Sequence, residues 1–246
     1  MRKSAILVCA ALAALLVGAV GFATADESVQ TEQAKVTPSK LPKKGNKNIK
    51  LTNTIVTKDA PGTFQPPSAN RTVLDLPKQV KINTKSVPYC KTTPDGLASA
   101  ATVADAKKAC GKKSQVSDDK KSSAQVRVGS AVGATTIPVD VVAFNENGKK
   151  LILYSKPTGA FSSIAASILV GKLKESKSGK AYDKALDVTI PKLAAGAISF
   201  FEVTIPKSKY IMAKCNNTTV KAQATTYFDD GAKTTDDHSV KCKGKK

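Results

Sequence analysis

Residues 186–207 read LDVTIPKLAAGAISFFEVTIPK and hold nearly the same seven residues twice, at 186–192 and 201–207. Successive side chains of a strand point to opposite faces. Leu186, Val188 and Ile190 therefore share one face, and Asp187 and Thr189 the other. Phe201, Val203 and Ile205 match the first set, and Glu202 and Thr204 the second. Each copy reads as a strand with one buried face, ended by Pro191 or Pro206, which lacks the N–H that a ladder needs. The Leu/Ile-Pro-Lys ending recurs at 41–43 and 76–78, so it punctuates strands and does not mark a site. Residues 191–199 are too many for a tight hairpin, which places the two strands in different sheets joined by a crossover.

The same alternation extends outward along the chain. Strand patterns occur at 49–56, 72–83, 123–129, 136–145, 150–155, 161–176, 210–215, 219–228 and 234–242. The segment 136–145 is apolar on both faces apart from Asp140, as in a central strand, and the turn at 145–148 makes 150–155 its hairpin partner. Asp229-Asp230-Gly231 is a second turn. Residues 94–110 are Ala-rich without alternation and predict a helix over 97–109, capped by Asp95 or Ser99, with Gly111 just beyond it. About ten short strands and one helix predict an all-β antiparallel β-sandwich. A jelly roll and an immunoglobulin-like Greek key fit equally.

The N-terminus reads as an export signal over 1–25: Arg2 and Lys3, an apolar run from Ala5 to Phe22, then Ala23-Thr24-Ala25 for cleavage before Asp26. An uncleaved anchor is the competing reading. Cys9 lies too early in the run, after Val8, to fit a lipid attachment site. Residues 26–48 are polar and rich in Lys and Pro, as in a disordered basic linker. Residues 49–242 are then expected to form one β-sandwich domain, with a tail at 243–246. After signal cleavage no transmembrane segment is expected.

The chain carries 39 basic and 19 acidic residues, a formal net charge of +20, and the excess is almost all Lys. Beyond the signal the only arginines are Arg71 and Arg127, and Trp is absent. Lysine is a solvated point charge without the fork that reads bases and phosphates. With so few aromatics to stack bases, the composition argues against sequence-specific nucleic-acid binding. A basic exported protein is better matched to an anionic cell-wall polymer or polysaccharide. Lys clusters fall at 107–108, 112–113, 120–121, 149–150, 172–180 and 241–246.

Cys90, Cys110, Cys215 and Cys242 form an even set for an exported chain. Of three pairings, Cys90–Cys110 and Cys215–Cys242 are expected, because each pair flanks one compact segment. No CxxC spacing occurs and His238 is the sole histidine, so zinc is not expected. A Ser-His-Asp triad would have to recruit His238 beside Asp236, Asp237 and Ser239, on a polar stretch that reads as a solvent-facing strand. Gly129-Ser130-Ala131-Val132-Gly133 lacks the spacing of a nucleophile elbow. Asp229, Asp230, Asp236 and Asp237 are a weak Ca²⁺ candidate, if one hairpin brings them together. No catalytic residue, cofactor or other metal site is expected. The sequons at Asn70, Asn216 and Asn217 are expected to stay bare, because the signal looks bacterial.

The landmarks LPKQVKIN, Cys90, Cys110, VVAFN at 141–145, LDVTIPKLAAG, FFEVTIPK, YIMAKC, YFDDG and Cys242 resemble those of a group of uncharacterised exported actinobacterial-type β-rich proteins, over about 76–242. The resemblance implies an exported β-rich domain with two disulfides and carries no catalytic residues. The expected function is an exported, non-enzymatic cell-envelope or extracellular binding or structural module, secreted or envelope-associated, contacting anionic polymers through Lys-rich loops. The alternative is a carbohydrate-active hydrolase or lyase on a jelly roll. That alternative calls for a concave face with two or more carboxylates and aromatics.

Overall fold

A computed structural model describes residues 29–130, 133–193, 195–216, 219–242 and 244–245. The expected export signal, with Cys9, lies outside them. The strands are β1 (Gln30–Thr37), β2 (Leu41–Pro42), β3 (Lys47–Asn48), β4 (Lys50–Thr57), β5 (Ala69–Pro77) and β6 (Val80–Ile82). Two helices follow, α1 (Pro94–Ala98) and α2 (Val103–Cys110). The chain then runs through β7 (Ser123–Ser130), β8 (Gly133–Asn145), β9 (Lys150–Pro157), β10 (Ser167–Glu175) and β11 (Tyr182–Thr189). It ends with β12 (Ala197–Ile205), β13 (Ile211–Ala213), β14 (Thr219–Phe228), β15 (Lys233–Lys241) and β16 (Gly244–Lys245).

The protein is all-β and its main sheet is antiparallel throughout. Eleven strands join into one sheet in the order β1-β4-β12-β7-β8-β9-β10-β11-β5-β14-β15. The two ends of that row, β1 and β15, lie side by side, and the Glu32 backbone N–H donates to the Asp236 carboxylate across the seam. The sheet is thus nearly closed on itself, and a separate second sheet facing it, as in a sandwich, is not shown. The two VTIP strands, β11 and β12, belong to the same sheet, separated by β7, β8, β9 and β10. The long connection between them does skip their pairing, but it does not change sheets.

The linker expected at 26–48 is corrected: Gln30 to Thr37 forms an edge strand paired with β4 along its whole length. Its inward row, Gln30, Glu32, Ala34 and Val36, is half polar, so the alternation is invisible to hydropathy. The expected single helix is also two. Thr93 caps α1, accepting from Gly96 N–H at 3.2 Å, and Thr102 caps α2, accepting from Asp105 N–H at 3.1 Å. A second capping hydroxyl inside the predicted span restarts the helix there.

The strand β8 explains its own sequence. Val139, Val141 and Ala143 face the barrel interior, while Val142 and Phe144 pack with Ile152 and Tyr154 against Leu97 and Ala106 of the helices. Two cores thus meet at one strand, which is why 141–145 is apolar on both faces. The outer core is tied down by the Cys90–Cys110 disulfide and by the Tyr154 hydroxyl, which donates to the Ala100 carbonyl at 2.7 Å. Asn145, fully buried, donates to the Thr84 and Val87 carbonyls at 2.8 Å each.

A small sheet, β3-β13-β6, covers one end of the barrel. Ile49 N–H donates to Ile211 O at 3.1 Å, Asn83 N–H to Tyr210 O at 2.7 Å, and Tyr210, Ile211 and Ala213 are buried in the interior core. The Cys215–Cys242 disulfide fastens this cap to the end of β15. The expected two disulfides are therefore both formed. Replacing Cys90 and Cys110 together by Ser should lower stability by about 3 kcal/mol, the chain-entropy value for a loop of this length. Urea unfolding measures it, and a loss under about 1 kcal/mol would contradict the helical cover's dependence on the bridge.

Candidate functional site

The inward faces of the strands enclose a cavity of about 460 Å³. Its wall is overwhelmingly apolar, and it includes Leu186 and Val188 from β11, Ile190 just beyond it, and Phe201, Val203 and Ile205 from β12. Both halves of the repeated segment thus present their expected buried face to this space. Their opposite faces stay outside: Asp187 binds Arg71 at 2.7 Å and Lys174 at 2.6 Å, and Glu202 accepts from Thr54 at 2.8 Å. The space exists because small residues, among them Ala34, Ala143 and Ala222, occupy inward positions. Gly171 acts similarly, since a Cβ there would meet Leu186 Cδ1 at 3.0 Å.

A few polar groups enter this wall. Glu32 is 6 % exposed, and its Oε2 has no hydrogen-bond partner. Burial raises its pKa from the ordinary 4.5 to about 7; the nearby Asp236 charge adds to the rise, and a hydrogen bond with Asn53 opposes it. The Tyr210 hydroxyl is likewise buried without a partner, and burial pushes its pKa up. Asp75, also in the wall and buried, is fully engaged by the Ser176 hydroxyl at 2.5 Å and the Ser178 hydroxyl at 2.6 Å.

His238 lines the cavity, which corrects its assignment to a solvent-facing position. Asp236 lies on the same side of β15 as His238, whereas Asp237 and Ser239 are on the exposed side, so strand alternation itself separates the triad candidates. The calcium candidate is dispersed as well. Asp230 accepts from Ala232 N–H at 2.9 Å within the turn, Asp237 accepts from Gln223 at 2.7 Å, and Asp236 faces Glu32. Among the described residues no three His, Cys, Asp or Glu side chains gather as a metal would need. Several cluster lysines sit in surface pairs, Lys107 with Asp119 at 3.0 Å, Lys121 with Asp118 at 3.8 Å and Lys150 with Glu146 at 3.8 Å. Pairs of this kind contribute little to stability.

Glu32 was hidden because it sits in a stretch whose composition reads as linker. Only the pairing of β1 with β4 reveals its inward direction. Among the described residues no helix is long and apolar enough to cross a membrane. No family model matches this chain, and neither does any curated protein or solved structure.

A carboxyl whose folded pKa lies above its unfolded value holds its proton longer when folded, so stability falls as pH rises between the two values. The window here runs from about 4.5 to about 7. Glu32→Gln removes the ionisable group at nearly constant shape. Urea unfolding should show it about 2–3 kcal/mol more stable than the parent above pH 7, with the gain gone below pH 4.5.

Proposed function

We propose that the protein is an exported, non-enzymatic binding module that holds one apolar small molecule inside its barrel. The single observation that carries this is the apolar cavity of about 460 Å³, which lies within the usual range of small-molecule pockets. Apolar surface lining such a space stays in contact with water or with nothing, and an apolar occupant restores the burial it lacks. In the sandwich first expected, facing sheets about 10 Å apart would interdigitate and leave no such space.

The alternative of a glycoside-cleaving enzyme gains less support. It needs two working carboxyls, and of the two that line the cavity, Asp75 is fully occupied by Ser176 and Ser178. A wall so poor in polar groups also offers a sugar few partners. Export rests on the sequence of residues 1–25, and the two disulfides are compatible with an oxidising, extracytoplasmic setting. The net charge of +20 supports a further part of the role, retention of the loaded protein at an anionic envelope polymer through exposed Lys.

The neutral fluorophore N-phenylnaphthylamine should bind with one site per chain. Ala34→Phe, which fills the cavity from β1, should weaken it by about tenfold or more and raise the melting temperature. Absence of probe binding by the folded parent would sink the proposal.

A further inference from the structure

The polar groups inside the cavity are not evenly spread, and two of them, Glu32 and Tyr210, have an atom without a hydrogen-bond partner. Glu32 is buried, its Oε2 lacks a hydrogen-bond partner, and its side chain forms part of the cavity wall. A buried acceptor without a donor is costly, and native proteins rarely leave one so. Its backbone N–H is bound to Asp236, and Asn53 of β4 acts on the carboxyl from the neighbouring strand, opposing the rise in its pKa. What remains is an acceptor on an apolar wall, facing a space large enough for a guest.

We infer that Glu32 is the anchor for the polar end of the bound molecule, and that this end is a hydrogen-bond donor, an amine or an alcohol, with carboxylate ends rejected. This rests on the reading of the barrel as a container and names what the container selects. The charges around the site fix the sign. Asp236 and His238 approach from β15, Asp75 from β5, and Tyr182 from β11, while the inward residues of β4 carry no charge; the two lysines that also line the cavity, Lys35 and Lys214, are not buried as Glu32 is and stay in reach of water. Glu32 and Asp236 together make this part of the wall acidic. A ligand carboxylate would add a third negative group in a poorly screened interior, whereas an ammonium would satisfy Oε2 and relieve the repulsion between the other two. An alcohol supplies the hydrogen bond alone. Tyr210, the other unpartnered group among the described residues of the cavity wall, both donates and accepts, so it does not oppose this selection.

The test compares dodecylamine, dodecanol and dodecanoate as competitors of N-phenylnaphthylamine at about pH 8, where Glu32 is largely ionised. The parent should prefer dodecylamine to dodecanoate by at least about tenfold, with dodecanol between them. In Glu32→Gln that ratio, which does not depend on the variant's own affinity for the probe, should fall to less than about a third of the parent's. A parent ratio below tenfold, or a ratio that survives Glu32→Gln, overturns the anchor and leaves the container standing. A folded parent that binds neither probe nor any competitor overturns both.

Discussion

The hydrogen bond from the Glu32 backbone to Asp236 is where the first and last strands of the main sheet meet. Everything inside depends on that meeting. Barrel diameter grows with strand number, and about eight strands already enclose an interior that side chains just fill. Eleven strands enclose more than Ala-sized inward residues can occupy. The result is two different interiors on the two faces of one sheet. Outside β8 and β9, the helices press down a dense core of Val142, Phe144, Ile152 and Tyr154. On the other side of the same strands lies a space that none of the described residues fills.

The elements most legible in the sequence were those whose pattern is local. The hairpin of β8 and β9, the inward face of each VTIP strand and both cysteine pairs follow from alternation, turn residues and proximity along the chain. The illegible parts have physical reasons. The strand β1 carries Gln30 and Glu32 on its inner row, so its period-2 signal vanishes into polarity. Thr102 divides the predicted helix through a capping bond whose strength composition does not display. Closure of the sheet is set by accumulated twist and by pairings between distant segments, which no window of residues records. His238 and Glu32 became neighbours of one cavity only through that closure.

Charge is distributed in two regimes that the net value of +20 conceals. On the surface, Lys and Asp pair in water, where the interactions are screened and individually weak. Arg71 is more elaborate, binding Asp187 through two nitrogens and lying 5.0 Å from the Tyr227 ring centre. Inside, burial pushes the pKa of the Glu32 carboxyl up to about 7, because the surroundings cannot solvate its charge, and the neighbouring Asp236 adds to the rise. The interior therefore has a sharper electrostatic character than the exterior, despite holding far fewer charged groups.

The seam has a consequence for how the molecule comes into being. Its partners are 204 residues apart in the chain, and the β5 strand must await β11 and β14 for both its neighbours. Contacts of such sequence separation slow folding, since the loop must close before the pairing rewards it. A growing chain has no means of completing the ring: until β15 arrives, β1 offers an unpaired edge and the apolar inner faces stay open to water. Such edges template association with other chains. The chain thus passes through its most aggregation-prone form just before the last strand of the main sheet is delivered, and the time spent there is governed by that delivery and not by the stability of the finished barrel.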